Sequence, residues 1–479
     1  MSVTRTGALP GTLHDVAVVG AGVVGTAIAR ELARYRLSVA LLDAADDVGT
    51  GTSKANTAIL HTGFDATPGT LEARLVREGH RRLSVYAAEC GIPLEGVGAL
   101  LVAWDEEQRA ALPRLAAKAV AGGHREPRVI GPEALRRAEP RLGPGALAAL
   151  EVPGESVICP WTTTLAYATQ AVRAGTGLHL RCPVTGVTDR GDHHELATGR
   201  GPLRARYLVN AAGLHADTLD ALLGHRDFTV VPRRGQLLVH DRTARPLVRH
   251  ILLPVPTARG KGVLIAPTVH GKVLLGPTAE DVHDRGATGS TAEGIDALRA
   301  EGRRILPALG EEEVTAVYAG LRAATEHQDY RIRCHPDQRY AAVGSIRSTG
   351  LSASLAIAAY VTEALGDAGL GLGPARDLPP VAMPNIGEAA PRPYERADLI
   401  AADPAYGTVL CACERVTEGE IRDALHSTVP PATLAGLRRR TRARAGRCQG
   451  FSCGPAVRAA FDAYRGARPG PGAHGAGQR

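Results

Sequence analysis

Four of the chain's eight cysteines stand in two tight pairs near its end, Cys411-x-Cys413 and Cys448-x4-Cys453, with 34 residues between the pairs. Thiolates are soft metal ligands. Four of them suit a structural zinc, bound tetrahedrally, or a [2Fe–2S] cluster. Zinc ribbons use C-x2-C knuckles on both sides, and neither spacing here matches, so the cluster is the expectation and zinc its rival. At the other end, Gly20, Gly22 and Gly25 form G-x-G-x-x-G. In such a turn the first glycine allows the bend, the second admits a pyrophosphate against the backbone, and the third lets helix pack on strand. Asp43 follows Gly20 at the spacing of an acidic residue that binds a ribose hydroxyl. The motif points to a dinucleotide and leaves open whether it is FAD or NAD.

The elements that must position these residues are legible around them. "DVAVV" reads as a short buried strand, "VGTAIARELARY" as an amphipathic helix and "LSVALLD" as a second strand, which together make one βαβ unit over residues 14–43. "LEARLVREGHRRLSVYAAECG" and "EEQRAALPRLAAKAVAGG" carry helical spacing, and "GALLVAWD" and "VTGVTDR" read as strands. Residues 228–278 are rich in β-formers broken by Gly and Pro, which predicts an antiparallel sheet. Residues 369–400 hold many prolines and glycines with little periodicity, as in a linker or wrapping segment.

A chain of 479 residues suggests roughly two to four domains of about 150 residues. The formal charge of +7 sits wholly beyond residue 404, where twelve arginines face five acidic residues. No aromatic residue interleaves the run Arg438, Arg439, Arg440, Arg442, Arg444 and Arg447, which argues against nucleic acid. A cluster with four thiolates carries roughly −2, and −3 when reduced. The run therefore either stabilises the reduced cluster or forms a solvated face. The start carries no apolar leader and no stretch reaches about 18 apolar residues. The expectation is a cytoplasmic protein, or one peripheral to the inner face of the cell membrane, where structural disulfides are rare.

The glycine motif is followed in order by "GTGTSKANTAILHTG", "RYLVNAAGLHAD" and "VGSIRSTGLSASLAIA". This set resembles the FAD-dependent oxidoreductases of the glycerol-3-phosphate dehydrogenase and D-amino-acid oxidase superfamily. The cysteine spacing and "RRRTRARAGRCQGFSCGP" resemble the bacterioferritin-associated-ferredoxin-like [2Fe–2S] domain. The resemblance implies FAD over NAD, with cofactor contacts at Ser53, Asn56, Thr57, Val184, Ala212, Gly213, Gly344, Gly350, Leu351 and Ser352 beside Gly20, Gly22, Gly25 and Asp43.

The same resemblance implies His61 as the histidine facing the flavin, assisting proton removal, and Arg322 and Lys261 as the cations that bind the substrate's phosphate or carboxylate. Ser348 and Thr349 are candidate hydroxyl donors, Thr349 being carried as a catalytic candidate. The combination resembles the large subunit of the anaerobic glycerol-3-phosphate dehydrogenases, which implies an electron-carrier or quinone-linked partner. "STGLS" departs from the more common "SPGLT", and "HTGFD" with "PGTL" also resembles L-2-hydroxyglutarate dehydrogenases. A 2-hydroxy-acid or amino-acid dehydrogenase, and a non-catalytic electron-transfer or zinc-binding subunit, are thus the alternatives.

The expected fold is α/β. It comprises a Rossmann-like FAD domain over 13–375 with an inserted, largely antiparallel substrate sheet (about 85–155 and 225–325), a linker over 376–404, a small helical iron–sulfur domain over 405–466, and a disordered tail over 467–479.

Overall fold

Apolar β-formers at Leu13–Val19 build the central strand of a parallel sheet. The computed structural model describes residues 11–124, 126–256 and 262–466. Lys261 and the tail from residue 467 lie outside the described residues. Five strands run parallel in the order Gly177–His179, Val39–Leu42, Leu13–Val19, Leu203–Asn210, Tyr340–Gly344. An antiparallel hairpin, Val184–Asp189 and His194–Thr198, and the strand Arg331–His335 complete eight strands. The helices Val23–Leu32, Leu71–Cys90, Pro160–Arg173 and Gly350–Asp367 cover one side. Val18, Ile28, Leu32, Leu41, Tyr167, Ile357 and Val361 are fully buried between them. Each such side chain contributes roughly 1.5–3 kcal/mol of transfer free energy.

A nine-stranded second sheet supplies the opposite wall. Its long strands Val231–His240 and Val314–Ala324 pair antiparallel along their length. One neighbouring pair, Ile251–Pro254 with Ala99–Ala103, is parallel; the sheet is mixed and largely antiparallel. The two units meet where Thr52 donates to the Leu321 carbonyl at 2.8 Å and Tyr318 donates to the Asn56 carbonyl at 3.1 Å.

The C-terminal unit is small and helical. The hairpin Val409–Cys411 and Val416–Thr417 leads into helices Glu418–His426, Leu434–Thr441 and Gly454–Gly466. Thr417 and Glu420 form a reciprocal capping box at the first of these. Its core gathers Cys411, Val416, Ile421, Leu437, Val457 and Phe461.

Residues 376–404, without hydrophobic periodicity, lie as a strap held by backbone bonds. Arg376 donates to Arg34, Met383 to Cys90 and Glu388 to Val269, at 2.7–2.9 Å. Arg392, 1% exposed, donates to Glu420.

The arginine run is not a solvated face. Arg439 and Arg440 pair with Asp47 of the parallel-sheet unit, Arg447 with Asp241 and Glu313 of the second sheet, and Arg442 with Glu414 and with Glu388 of the strap. Glu414 lies between Cys413 and Arg415 and also receives Lys272 and Arg242. Burial alone would raise its pKa, but the charges of Arg442, Lys272 and Arg242 outweigh burial and hold it at about 2. Burial is likewise outweighed at Asp47, by Arg440 and Arg439, and at Asp241, by Arg447 and the Arg242 N–H, so both sit below the usual carboxylate range.

A carboxyl with a depressed folded-state pKa contributes stability that is present above its ordinary value and is lost as pH falls through the folded one. Docking of the C-terminal unit is therefore expected to weaken as pH drops below the ordinary 3.8 of Asp47. Hydrogen exchange across 434–441, measured down an acid series, checks this; protection unchanged between pH 6 and pH 3 would contradict it.

Candidate active site and metal centre

Gly20, Gly22 and Gly25 sit at the carboxyl end of Leu13–Val19, where open α/β sheets bind ligands. Gly20 has φ +105°, and a Cβ there would lie 2.3 Å from the Ala211 carbonyl oxygen. A Cβ on Gly25 would lie 1.8 Å from the Gly20 oxygen, which explains the third glycine by helix–strand contact. Gly22 caps Val23–Leu32 without a side chain and leaves the helix N-terminus open. The Asp43 carboxylate accepts from Ala21 N at 2.6 Å and Ala45 N at 2.8 Å. Burial raises its pKa. Ser53 Oγ accepts from Val23 N at 2.9 Å. This cradle at a helix N-terminus, in which a side chain on Gly20 or Gly25 would clash with backbone, fits the pyrophosphate and ribose of FAD.

The other expected cofactor residues divide into two groups. Asn56 and Thr57 follow Ser53 along the same half-buried segment, and Ala212, which a Cβ on Gly20 would meet at 3.1 Å, leads with Gly213 out of Leu203–Asn210. Val184 packs against the apolar layer containing Leu42, beside Asp43. Gly350 and Leu351 open the helix Gly350–Asp367. Gly344 and Ser352 have protein partners instead: a Cβ on Gly344 would strike the Phe228 ring at 2.5 Å, and Ser352 Oγ accepts from His61 N at 2.8 Å. Thr349 Oγ1 is bonded to Tyr330 Oη at 2.6 Å and to Glu72 at 2.7 Å, while Ser348 is exposed.

His61 is fixed by a residue that sequence reasoning missed. Its Nδ1 lies 3.1 Å from Glu155 Oε2, and Glu155 is fully buried. Glu155 Oε1 accepts from Thr62 N and Thr62 Oγ1, both at 2.7 Å. An acceptor-only carboxylate places the proton on Nδ1 and turns Nε2 into the basic nitrogen. Two further histidines stand close to Glu155: burial lowers the pKa of His80 and of His124.

Arg322 faces Arg233 across the long strand pair. Burial lowers its pKa first, and repulsion from Arg233 second. Arg233 is neutralised by Asp281, whereas among the described residues no carboxylate pairs with Arg322. A desolvated, unpaired guanidinium is costly. Arg322 is chemically able to pair with an external anion; it lies on the strand whose Gly320 approaches Ala55 so closely that a Cβ would lie 2.2 Å from the Ala55 oxygen.

The cysteines converge from both motifs. The thiol of Cys413 contacts that of Cys448, and Cys453 contacts Cys411 and Cys448. Backbone N–H groups of Ser452, Gly450 and Cys453 lower the Cys448 pKa to about 6, and burial raises that of Cys453 to about 12. Arg444 N donates to Cys411 Sγ at 3.5 Å. Among the described residues no three His, Cys, Asp or Glu side chains are set to hold one metal ion. A four-thiol nest supplied with N–H donors fits a cluster carrying net negative charge.

Residues 15–364 match the family of FAD dependent oxidoreductases. The chain belongs to that family. In this FAD-dependent oxidoreductase, residues 409–463 match the BFD-like [2Fe-2S] binding domain. The oxidoreductase is 36% identical over 448 residues to a glycerol 3-phosphate dehydrogenase of Caloramator mitchellensis, covering 93% of each chain. It is 30% identical over 354 residues to a glycerol 3-phosphate oxidase of Mycoplasma pneumoniae, covering 72% of this chain and 92% of the relative. The solved structure of reduced L-alpha-glycerophosphate oxidase from Mycoplasma pneumoniae with FAD bound superposes with a TM-score of 0.71 at 29% identity, covering 74% of this chain and 95% of that one. FAD and a [2Fe–2S] cluster are thus the cofactors of this enzyme. No helix among the described residues is long and apolar enough to cross a membrane.

Replacing Cys413 by Ser is expected to remove the iron-to-sulfur absorption bands and leave the flavin bands in place. Absorption spectra of the purified protein check this, and full retention of both sets of bands would exclude Cys413 as a ligand.

Proposed function

We propose that this oxidoreductase oxidises the secondary alcohol of sn-glycerol 3-phosphate, or of a close anionic relative, to the ketone, dihydroxyacetone phosphate for the named substrate. The observation that carries the reading is the Arg322 guanidinium, without a carboxylate partner among the described residues, on the sheet facing the Thr52–Thr57 segment. The likeness to glycerol 3-phosphate dehydrogenases and oxidases supports a phosphate as its anion.

FAD held at the Gly20–Asp43 cradle would supply the hydride acceptor, and a cluster held by Cys411, Cys413, Cys448 and Cys453 would supply a one-electron path to a further acceptor. The chain's own residues do the rest. Arg322 binds the phosphate through a planar fork of donors. His61 takes the hydroxyl proton on Nε2, and Glu155 holds the ring and offsets the imidazolium charge. Lys261, outside the described residues, is proposed as a second cation for the phosphate. The acceptor is proposed to be an electron-carrier subunit or a quinone-linked protein, at the membrane surface where the quinone resides.

Anaerobic bleaching of the flavin absorbance, followed with glycerol 3-phosphate, L-2-hydroxyglutarate and amino acids in parallel, tests this. Bleaching by glycerol 3-phosphate at the lowest concentration supports the reading. Bleaching by a 2-hydroxy acid or amino acid alone would replace the substrate.

A further inference from the structure

The loop between Asp43 and Ser53, both of which bond the backbone around the glycine turn, is held at one point by a different part of the chain. Asp47 is buried, 1% exposed, in the middle of that loop. Its carboxylate takes both terminal nitrogens of Arg440, at 2.7 and 2.8 Å, and Arg439 at 2.8 Å. The last acceptor position on Oδ1 is filled by Val48 N at 2.9 Å. Both arginines lie on the helix Leu434–Thr441 of the C-terminal unit, almost 400 residues away in sequence. Arg440 is itself clamped by the Val429 and Gly436 carbonyls, at 2.8–3.1 Å. Helix and loop approach so closely that a Cβ on Gly436 would lie 2.8 Å from Asp47 Oδ2. The gap left beside the pair, lined by Val48, Gly49, Ser53, Trp161, Arg439 and Arg440, is about 10 Å³, room for one water.

The short loop transmits this clamp to the cradle. Asp43 Oδ1 accepts from Ala45 N and Oδ2 from Ala21 N, and Gly49 N donates to the Ala21 carbonyl at 2.9 Å. Displacing Asp47 therefore disturbs both contacts that set the glycine turn. Loss of the arginines would leave Asp47 a buried, unpaired carboxylate beside Asp43, on which its negative charge already acts.

We propose that the Arg440–Asp47–Arg439 bridge makes FAD retention depend on the docked iron–sulfur unit, with Asp47, Arg439 and Arg440 as positioning residues for the cofactor loop. By linkage, FAD binding stabilises the docked position of the helix Leu434–Thr441 to the same degree. The inference rests on FAD seated at the glycine turn and is independent of the substrate.

The test uses full-length protein stripped of flavin and titrated with FAD, with the cluster absorption recorded in the same sample. Asp47→Asn and Arg440→Gln are each expected to raise the FAD dissociation constant about tenfold. The double variant should be no weaker than the weaker single, because both remove one interaction. Arg447→Gln, which breaks a contact to the second sheet, should leave FAD affinity within about twofold. Hydrogen exchange across 434–441 should rise when FAD is removed from the unmodified protein.

FAD affinity unchanged in Asp47→Asn, or losses that simply add in the double variant, would overturn the proposal. If Arg440→Gln loses its cluster through misfolding, Asp47→Asn still decides, since it alters no residue of the C-terminal unit.

Discussion

Replacement of His61 by Ala is expected to lower kcat by about 10²- to 10⁴-fold while flavin and cluster spectra stay intact, because a positioned base contributes on that scale. The geometry makes the prediction sharper than the loss of one histidine. The ring is oriented through Nδ1 by Glu155, and Glu155 is pinned by the backbone and hydroxyl of Thr62. Glu155→Gln keeps size and burial but removes the charge that stabilises the imidazolium formed on proton uptake. It is expected to lower kcat less than His61→Ala, by roughly tenfold. It should also move the acid limb of the kcat pH profile to lower pH, since without the carboxylate the ring gives up its proton more readily. A Glu155→Gln variant with lower kcat but an unmoved acid limb would reduce Glu155 to a packing role. An unaltered kcat in His61→Ala would remove His61 from the reaction.

Replacement of Arg322 by Ala is expected to lower kcat/KM for glycerol 3-phosphate by about 10²- to 10³-fold, the scale of two charge-assisted hydrogen bonds lost together. The free protein should become no less stable. Arg322 has no carboxylate partner among the described residues, so its removal breaks no ion pair, and it relieves repulsion with Arg233. Arg322→Ala is therefore expected to separate a loss of activity from a loss of stability. Arg322→Lys should recover part of the loss, because an ammonium retains the charge but not the planar fork. The loss should fall mainly on KM if the phosphate is held equally in ground and transition states. Equal kcat/KM losses for glycerol 3-phosphate and for unphosphorylated glycerol would sink the assignment of Arg322 to the phosphate.

The α/β core was legible because its determinants are local. A short apolar strand, three glycines whose spacing follows from turn sterics, and apolar residues at helical spacing specify Leu13–Val19, the turn and Val23–Leu32 with no reference to the rest of the chain. β-Formers broken by glycine and proline made the second sheet readable in the same way. His61 and Arg322 were legible as chemical groups, but their surroundings were not. Glu155 lies in a Pro-Gly turn 94 residues from His61, and no periodicity singles it out from other acidic turn residues. Thr349 reads as a candidate hydroxyl donor and Ser352 as a cofactor contact, yet the fold gives each hydroxyl a protein partner.

By itself the sequence determined that the chain holds a dinucleotide turn and a four-thiolate metal centre, since glycines at set spacing and four thiols in two pairs are requirements of backbone sterics and ligand chemistry that a linear string displays; the choice of FAD over NAD came from the family resemblance. What the +7 tail is for was decided only in three dimensions. A run of arginines has the same composition whether it faces water, tunes a cluster or staples domains. The choice depends on which carboxylates burial brings within reach. Asp47 from the flavin loop, Asp241 and Glu313 from the second sheet, and Glu388 from the strap come within about 4 Å of those arginines only after every other element has packed.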